Sequence, residues 1–159
     1  MIKKDKFITQ MKNTLSLWSW CFLKVPMIFS VKPWVFQLNN SLAAVYLPFF
    51  YFNKNHVKSM YMGSLVAAAD ITAGLFAMHI AKQKKCTPLL VFKDIQANFI
   101  KRAEAHTLFI CKDKEKIEQL IEEALSTNKR CDKTISVNAY CPKTFADKEI
   151  AEFKMTLSI

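Results

Sequence analysis

Asn55, Met62, Gly63 and Asp70 are the residues of this sequence whose types and spacing could do chemistry. They lie in NHVKSMYMGSLVAAAD, residues 55–70, which holds one of only two glycines and ends on a carboxylate among small and apolar neighbours. A helix beginning near Ser59 would present unpaired backbone N–H groups and its positive dipole end around Met62-Gly63-Ser64, a ready site for an oxyanion. Gly63 would let a substrate carbonyl approach the backbone closely. Asp70 follows seven residues later, on the same side of the helix and about 10 Å further along it. That is too far for Asp70 to act on a group held at its own helix start. A second copy of the helix, antiparallel across a two-fold axis, would bring a partner's carboxylate near. Two plainer roles stay open for Asp70: a core aspartate satisfied by a lysine or a backbone group, or one exposed at the helix edge. Asn55 equally suits a helix entry or a turn, and His56 merely adjoins that entry.

Other chemistries find little support. Neither Ser59 nor Ser64 stands in a GxSxG elbow. Cys86 and Cys141 have no identifiable histidine partner for nucleophilic catalysis. The five cysteines (Cys21, Cys86, Cys111, Cys131, Cys141) are odd in number and scattered without a CxxC pair. That excludes a disulfide framework and a zinc site of the usual spacing, so they read as buried free thiols. Three isolated histidines add no ligand spacing, and no metal is expected. The net charge of +10 arises from 21 lysines and two arginines against 13 carboxylates. It favours anionic partners such as phosphates or anionic lipid. No nucleic-acid-binding signature accompanies it, so nucleic acid is not an expected partner. The balance suits a phosphorylated carrier such as coenzyme A without selecting it.

The elements that must position these residues follow from period and composition. A chain of 159 residues with 52% hydrophobic and 23% charged residues has the composition of a single globular domain. Residues 7–25 carry helical apolar spacing (Phe7, Ile8, Met11, Leu15, Trp18, Phe22) and stop near Pro26. Pro33–Phe52 reads as two short strands around an Asn39-Asn40 turn. Ser59 to about Lys85 predicts a long helix, rich in alanine and buried on nearly all sides; Gly74 within it suggests a close approach to a strand. Leu89–Ile100 and Ala105–Cys111 predict strands, Lys112–Ser126 an amphipathic helix, and Thr134–Tyr140 and Ile150–Leu157 half-buried strands. Runs of strands around one buried helix argue an α+β fold with an antiparallel sheet curled over that helix. No uninterrupted run offers the ~18 to 20 apolar residues of a spanning helix. The basic start (Lys3, Lys4, Lys6) and Leu15–Leu23 lack a small-residue cleavage site, and a cytoplasmic location is expected.

The pattern as a whole resembles the hotdog-fold acyl-CoA thioesterases of the phenylacetyl-CoA thioesterase-like group, nearest to an uncharacterised branch known as a domain of unknown function. That family's motif places an asparagine ahead of a His-Gly-Gly, then an acidic residue seven positions past the second glycine. Here Asn55 matches the asparagine, Tyr61-Met62-Gly63 occupies the His-Gly-Gly slot, and Asp70 the acidic position. The likeness continues through VFKDIQANFIKRAEA (residues 91–105) and the closing IAEFKMTLSI (residues 150–159), and covers most of the chain after about Lys32. Residues 1–31 are then an N-terminal helical extension of a single domain, 1–159. The family's histidine is replaced by Tyr61 and its first glycine by Met62; Phe92 stands about where many relatives have a serine or threonine.

The resemblance implies active sites at a homodimer interface, in a dimer or a tetramer, and an acyl-thioester substrate. Asp70 would be the general base or the nucleophile, the Met62-Gly63 backbone the oxyanion donor, and Asn55 would orient water or the carbonyl. Tyr61 and His56 would flank the substrate, and Lys58, Lys93, Lys101 and Arg102 would meet the phosphates of coenzyme A, which enters as part of the substrate and not as a cofactor. A hotdog protein that binds acyl thioesters or fatty acids without turnover is the alternative. Independently, Met1–Phe29, with Trp18, Trp20 and basic residues, suits contact with a membrane surface.

Overall fold

Residue spacing and turn chemistry fix the elements of the computed structural model, which describes residues 6–146 and 148–159. Lys3 and Lys4 of the basic start lie outside the described residues. Helix α1 (Phe7–Lys24) ends ahead of Pro26, which cannot donate the next backbone hydrogen bond, and the short α2 (Pro26–Ser30) restarts with that proline in its first turn. Strands β1 (Trp34–Leu38) and β2 (Ala43–Leu47) pair antiparallel. The Asn39 side-chain oxygen closes their turn by accepting the Ser41 and Leu42 N–H groups at 2.8 and 3.1 Å. A 3-10 turn at Tyr51–Asn53 leads to α3 (Met62–Gln83). Then come β3 (Val91–Phe99), β4 (Thr107–Cys111), α4 (Lys114–Thr127), β5 (Asp132–Tyr140), the one-turn α5 (Pro142–Phe145) and β6 (Glu149–Ser158).

The six strands form one antiparallel sheet in the order β1-β2-β4-β5-β6-β3. The sheet packs around α3, as the α+β reading expects. Ala68, Ala69, Ala73 and Ala77 are fully buried and bring the helix close to the strands, while Phe76 and Ile80 fill the space between. Phe109 and Phe153 meet them from the sheet, and Ile117, Leu120 and Ile121 of α4 close one end of the same core. Each such side chain contributes on the order of 1.5–3 kcal/mol by leaving water. By length and composition α3 is apolar enough to cross a membrane, contrary to the expectation that no run is; most of it is buried by this sheet instead.

Helix α1 forms over the expected residues and ends before Pro26, but its buried face is not its apolar one. Its Phe7, Ile8, Met11, Leu15 and Phe22 share the apolar spacing that predicts a buried face, yet all five are exposed. The buried face is Gln10, Thr14, Leu17 and Cys21. The reason is the unpaired edge of β1. The Thr14 hydroxyl accepts the Val35 N–H at 3.0 Å. The Gln10 amide donates to the Phe36 carbonyl and the Trp18 indole to the Pro33 carbonyl, both at 2.6 Å. An edge strand needs its backbone groups satisfied or shielded, and α1 supplies polar side chains for it. Leu17, Cys21 and Ile28 complete the seam against Val35, Val45 and Ile71.

Candidate functional site

The start of α3 is fixed by two backbone bonds to separate segments of the chain. Tyr61 N–H donates to the Asn53 carbonyl at 2.7 Å and Met60 N–H to the Ala103 carbonyl at 2.7 Å. Asn53 is itself fully buried, and its amide donates to the Val31 and Pro48 carbonyls at 2.9 Å each. One residue thus ties the end of α2 and the end of β2, through its side chain, to the entry of α3, through its backbone carbonyl. These bonds commit Met60 and Tyr61 to extended structure, so the helix begins at Met62 and not at Ser59. Composition alone does not place that boundary, and Asn53, a lone asparagine between Phe52 and Lys54, carries no spacing signal.

No side chain caps α3. Among the described residues the N–H groups of Met62, Gly63 and Ser64 meet no acceptor, as the first turn of an uncapped helix leaves them. The Tyr61 ring lies across this turn, with its Cε1 only 2.5 Å from where a Cβ on Gly63 would sit. Gly63 is therefore the residue that lets the ring lie down on the helix start.

Two turns along, Asp70 faces the same cleft, a space of about 710 Å³ between α3, the end of α2 and strand β3. Tyr61, Met62 and Gly63 line one end of it, Met27 and Phe52 its rim, and Phe92 of β3 the opposite wall. Phe92 also reaches 3.9 Å from a Cβ position on Gly74, an ordinary contact that leaves room for alanine. Asp70 is half-buried and, among the described residues, makes no hydrogen bond and no ion pair. It is neither paired with a lysine nor held by the backbone, as a purely structural core aspartate would be. Burial pushes its carboxyl above the ordinary value of 3.8. The nearby Cys21 thiol, fully buried, is pushed up to about 11 by desolvation and secondarily by the Asp70 charge. It stays protonated and inert.

The remaining expected site residues lie elsewhere. Asn55 spends its amide on its own loop: its oxygen accepts the Val57 and Ser59 N–H groups at 3.1 and 3.0 Å, and its nitrogen donates to the Ser59 hydroxyl at 3.0 Å. His56 and Lys58 sit exposed on that loop, Lys58 with a φ of 59°. Lys93 is at the cleft rim but forms an ion pair with Asp132. Lys101 lies over the Phe145 ring at 4.7 Å, and Arg102 is exposed. The structure brings Tyr61, Met62, Gly63, Asp70 and Lys93 together and leaves Asn55, His56, Lys58, Lys101 and Arg102 outside the cleft lining. A second, more apolar cleft of about 720 Å³ runs beside it between α1 and α3, lined by Leu17, Trp20, Leu75 and Met78, with Lys82 and Lys85 among its walls.

Solved structures share this architecture. A Haemophilus influenzae thioesterase superposes with a TM-score of 0.68 at 14% identity, covering 99% of this chain and 94% of that one. A Pseudomonas aeruginosa protein of unknown function, described as a probable thioesterase, gives 0.71 at 17% identity over 91% and 93% of the two chains. A Chlorobaculum tepidum protein of unknown function gives 0.80 at 12% identity over 94% of each. At such identities the likeness establishes the hotdog fold. No curated protein matches the sequence. The match to a sequence family runs from residue 14 to 158, so it takes in the second half of α1 as well as the whole sheet. By that match the chain belongs to the family described as Domain of unknown function (DUF4442).

Proposed function

We propose that the protein is a thioesterase that hydrolyses acyl-CoA or acyl-carrier thioesters. The observation that carries this reading is Asp70: an unpaired, desolvated carboxylate in a cleft shared with an uncapped helix start. An acid perturbed by desolvation in a cleft is a candidate for a functional group. In one protomer the two features stand about two helical turns apart, so the working pair is Asp70 of one chain and the α3 start of a second copy. Asp70 takes a proton from water as the water oxygen attacks the thioester carbonyl. The resulting oxyanion is held by the Met62 and Gly63 N–H groups. Collapse breaks the C–S bond, and the leaving thiolate takes up the proton, giving a carboxylic acid and a free thiol. Direct attack by Asp70 on the carbonyl, which expels the thiolate and leaves an anhydride that water hydrolyses to the carboxylic acid and free Asp70, uses the same residues. Coenzyme A is part of the substrate in this reading and no resident cofactor is required. Lys58, Lys101 and Arg102, exposed and without carboxylate partners among the described residues, remain its phosphate candidates.

A binding role without turnover is favoured by one observation, the Tyr61 ring packed against Gly63 at the helix start, where a substrate carbonyl would have to approach. Release of free thiol from short, medium and long acyl-CoAs separates the two. Turnover supports hydrolysis, whereas saturable binding of the same thioesters with no thiol released supports the binding module.

A further inference from the structure

Helix α1 shows solvent the face that an ordinary surface helix buries. At 100° per residue, Phe7, Met11, Phe22, Leu15 and Ile8 fall within a sector about 100° wide. All are exposed, Ile8 at 81%, and Leu23 and Met27 extend the apolar surface onto α2 at 75% and 65%. Single exposed apolar residues are ordinary, but a contiguous stripe of this kind marks an interaction surface. The neighbouring buried face does not account for the stripe, because it is engaged with β1 through Gln10 and Thr14, with the Trp18 indole bonded at the border between the two.

Charge indicates what covers the stripe. From Lys6 to Ala69 the chain contains six lysines and no aspartate or glutamate. Lys6 and Lys24 stand at the two ends of α1 and Lys12 at the border of the stripe, all exposed. An apolar sector bordered by lysines, with no carboxylate to repel lipid phosphates, has the composition of a helix lying in a bilayer interface. Each lysine near an anionic leaflet adds to the attraction. The geometry points to α1 and α2 as a docking surface for an anionic phospholipid bilayer, with Phe7, Ile8, Met11, Leu15 and Phe22 inserted among the acyl chains. Met27 belongs both to this surface and to the rim of the Asp70 cleft, so docking sets the cleft mouth close to the lipid. The docking itself does not rest on the proposed hydrolysis.

Full-length protein is sedimented with vesicles of pure phosphatidylcholine and of phosphatidylcholine with 30% phosphatidylglycerol, at low and at high salt. Binding to the anionic vesicles, weakened by salt and at least ten-fold weaker to the neutral ones, is the expected result. The Ile8→Gln, Leu15→Gln, Leu23→Gln triple variant alters only exposed side chains and is expected to lose binding at least ten-fold while keeping the wild-type circular dichroism and melting transition. In the unaltered protein, brominated phospholipids are expected to quench tryptophan fluorescence, since the half-buried Trp18 stands at the border of the apolar sector. Protein that stays in the supernatant with anionic vesicles overturns the proposal, as does quenching equal to that of protein without lipid. A wild-type oligomer that the triple variant dissociates, with no vesicle binding, also overturns it and assigns the stripe to contact between copies of this chain.

Discussion

The Thr14 hydroxyl accepts the Val35 N–H at 3.0 Å, and through that bond α1 seals one edge of the sheet. The other edge, β3, has no such cover: Val91, Ile95 and Phe99 stand 38%, 43% and 41% exposed. An open, apolar edge strand is a template for pairing with another chain. Two chains joined β3 to β3 would form one continuous sheet. Sedimentation velocity is expected to give twice the 18.3 kDa chain mass, and Ile95→Lys to shift the protein towards monomer. A wild-type monomer at micromolar concentration would speak against pairing and against any site shared across it.

Burial of Asp70 also sets a pH dependence of stability. Its carboxyl is raised in the folded state by desolvation. Its contribution to stability is thus fully present below the unfolded value and is lost as pH rises through the folded one. At neutral pH the charged form is a cost to the fold. Asp70→Asn is expected to melt higher than wild type at pH 7, with the gain shrinking towards zero in acid. A variant that melts lower at pH 7 would mean that the carboxylate has a stabilising partner after all.

The two glycines should behave differently. At Gly74 a new Cβ meets only Phe92 at 3.9 Å, so Gly74→Ala is expected to gain about 1 kcal/mol from helix propensity. At Gly63 a Cβ would collide with the Tyr61 ring. Tyr61 is 53% exposed and can swing away, so Gly63→Ala is expected to leave stability little changed while uncovering the helix start. Urea denaturation reads the first, and the chemical shifts of the Tyr61 ring read the second.

The Asn53 amide ties the residues after α2 and β2 to the segment whose backbone carbonyl receives the α3 entry. Asn53→Ala leaves the Val31 and Pro48 carbonyls unpaired and is expected to cost about 2–3 kcal/mol. Equilibrium urea unfolding measures it; a loss under 0.5 kcal/mol would show that water replaces the amide freely.

The alternating strands and the alanine-rich helix were legible in the sequence because their periods report directly on burial. Gly63 and Asp70 were legible because seven residues of helix keep positions on one face, and Tyr61 and Met62 because they fill the motif slot of the resemblance. What the sequence hid depends on partners distant along the chain. Gln10 and Thr14 face inward because β1 leaves backbone groups to satisfy, which the apolar period of α1 does not report. Asn55 matches a motif position, yet its amide is consumed within five residues of itself. The start of α3 is decided by Asn53 and Ala103, which no local propensity contains.

The central claim is that Asp70 performs thioester hydrolysis, and thiol release by wild type and Asp70→Asn tests it most directly. A change from carboxylate to amide removes the base and the nucleophile together while keeping the shape of the side chain. Wild type is expected to release free thiol from at least one acyl-CoA, with kcat/KM climbing above the ordinary carboxylate range because Asp70 must be ionised. Asp70→Asn is expected to fall by roughly 10² or more, the scale of a lost general base, with acyl-CoA binding retained. Equal turnover by the two proteins would contradict the account.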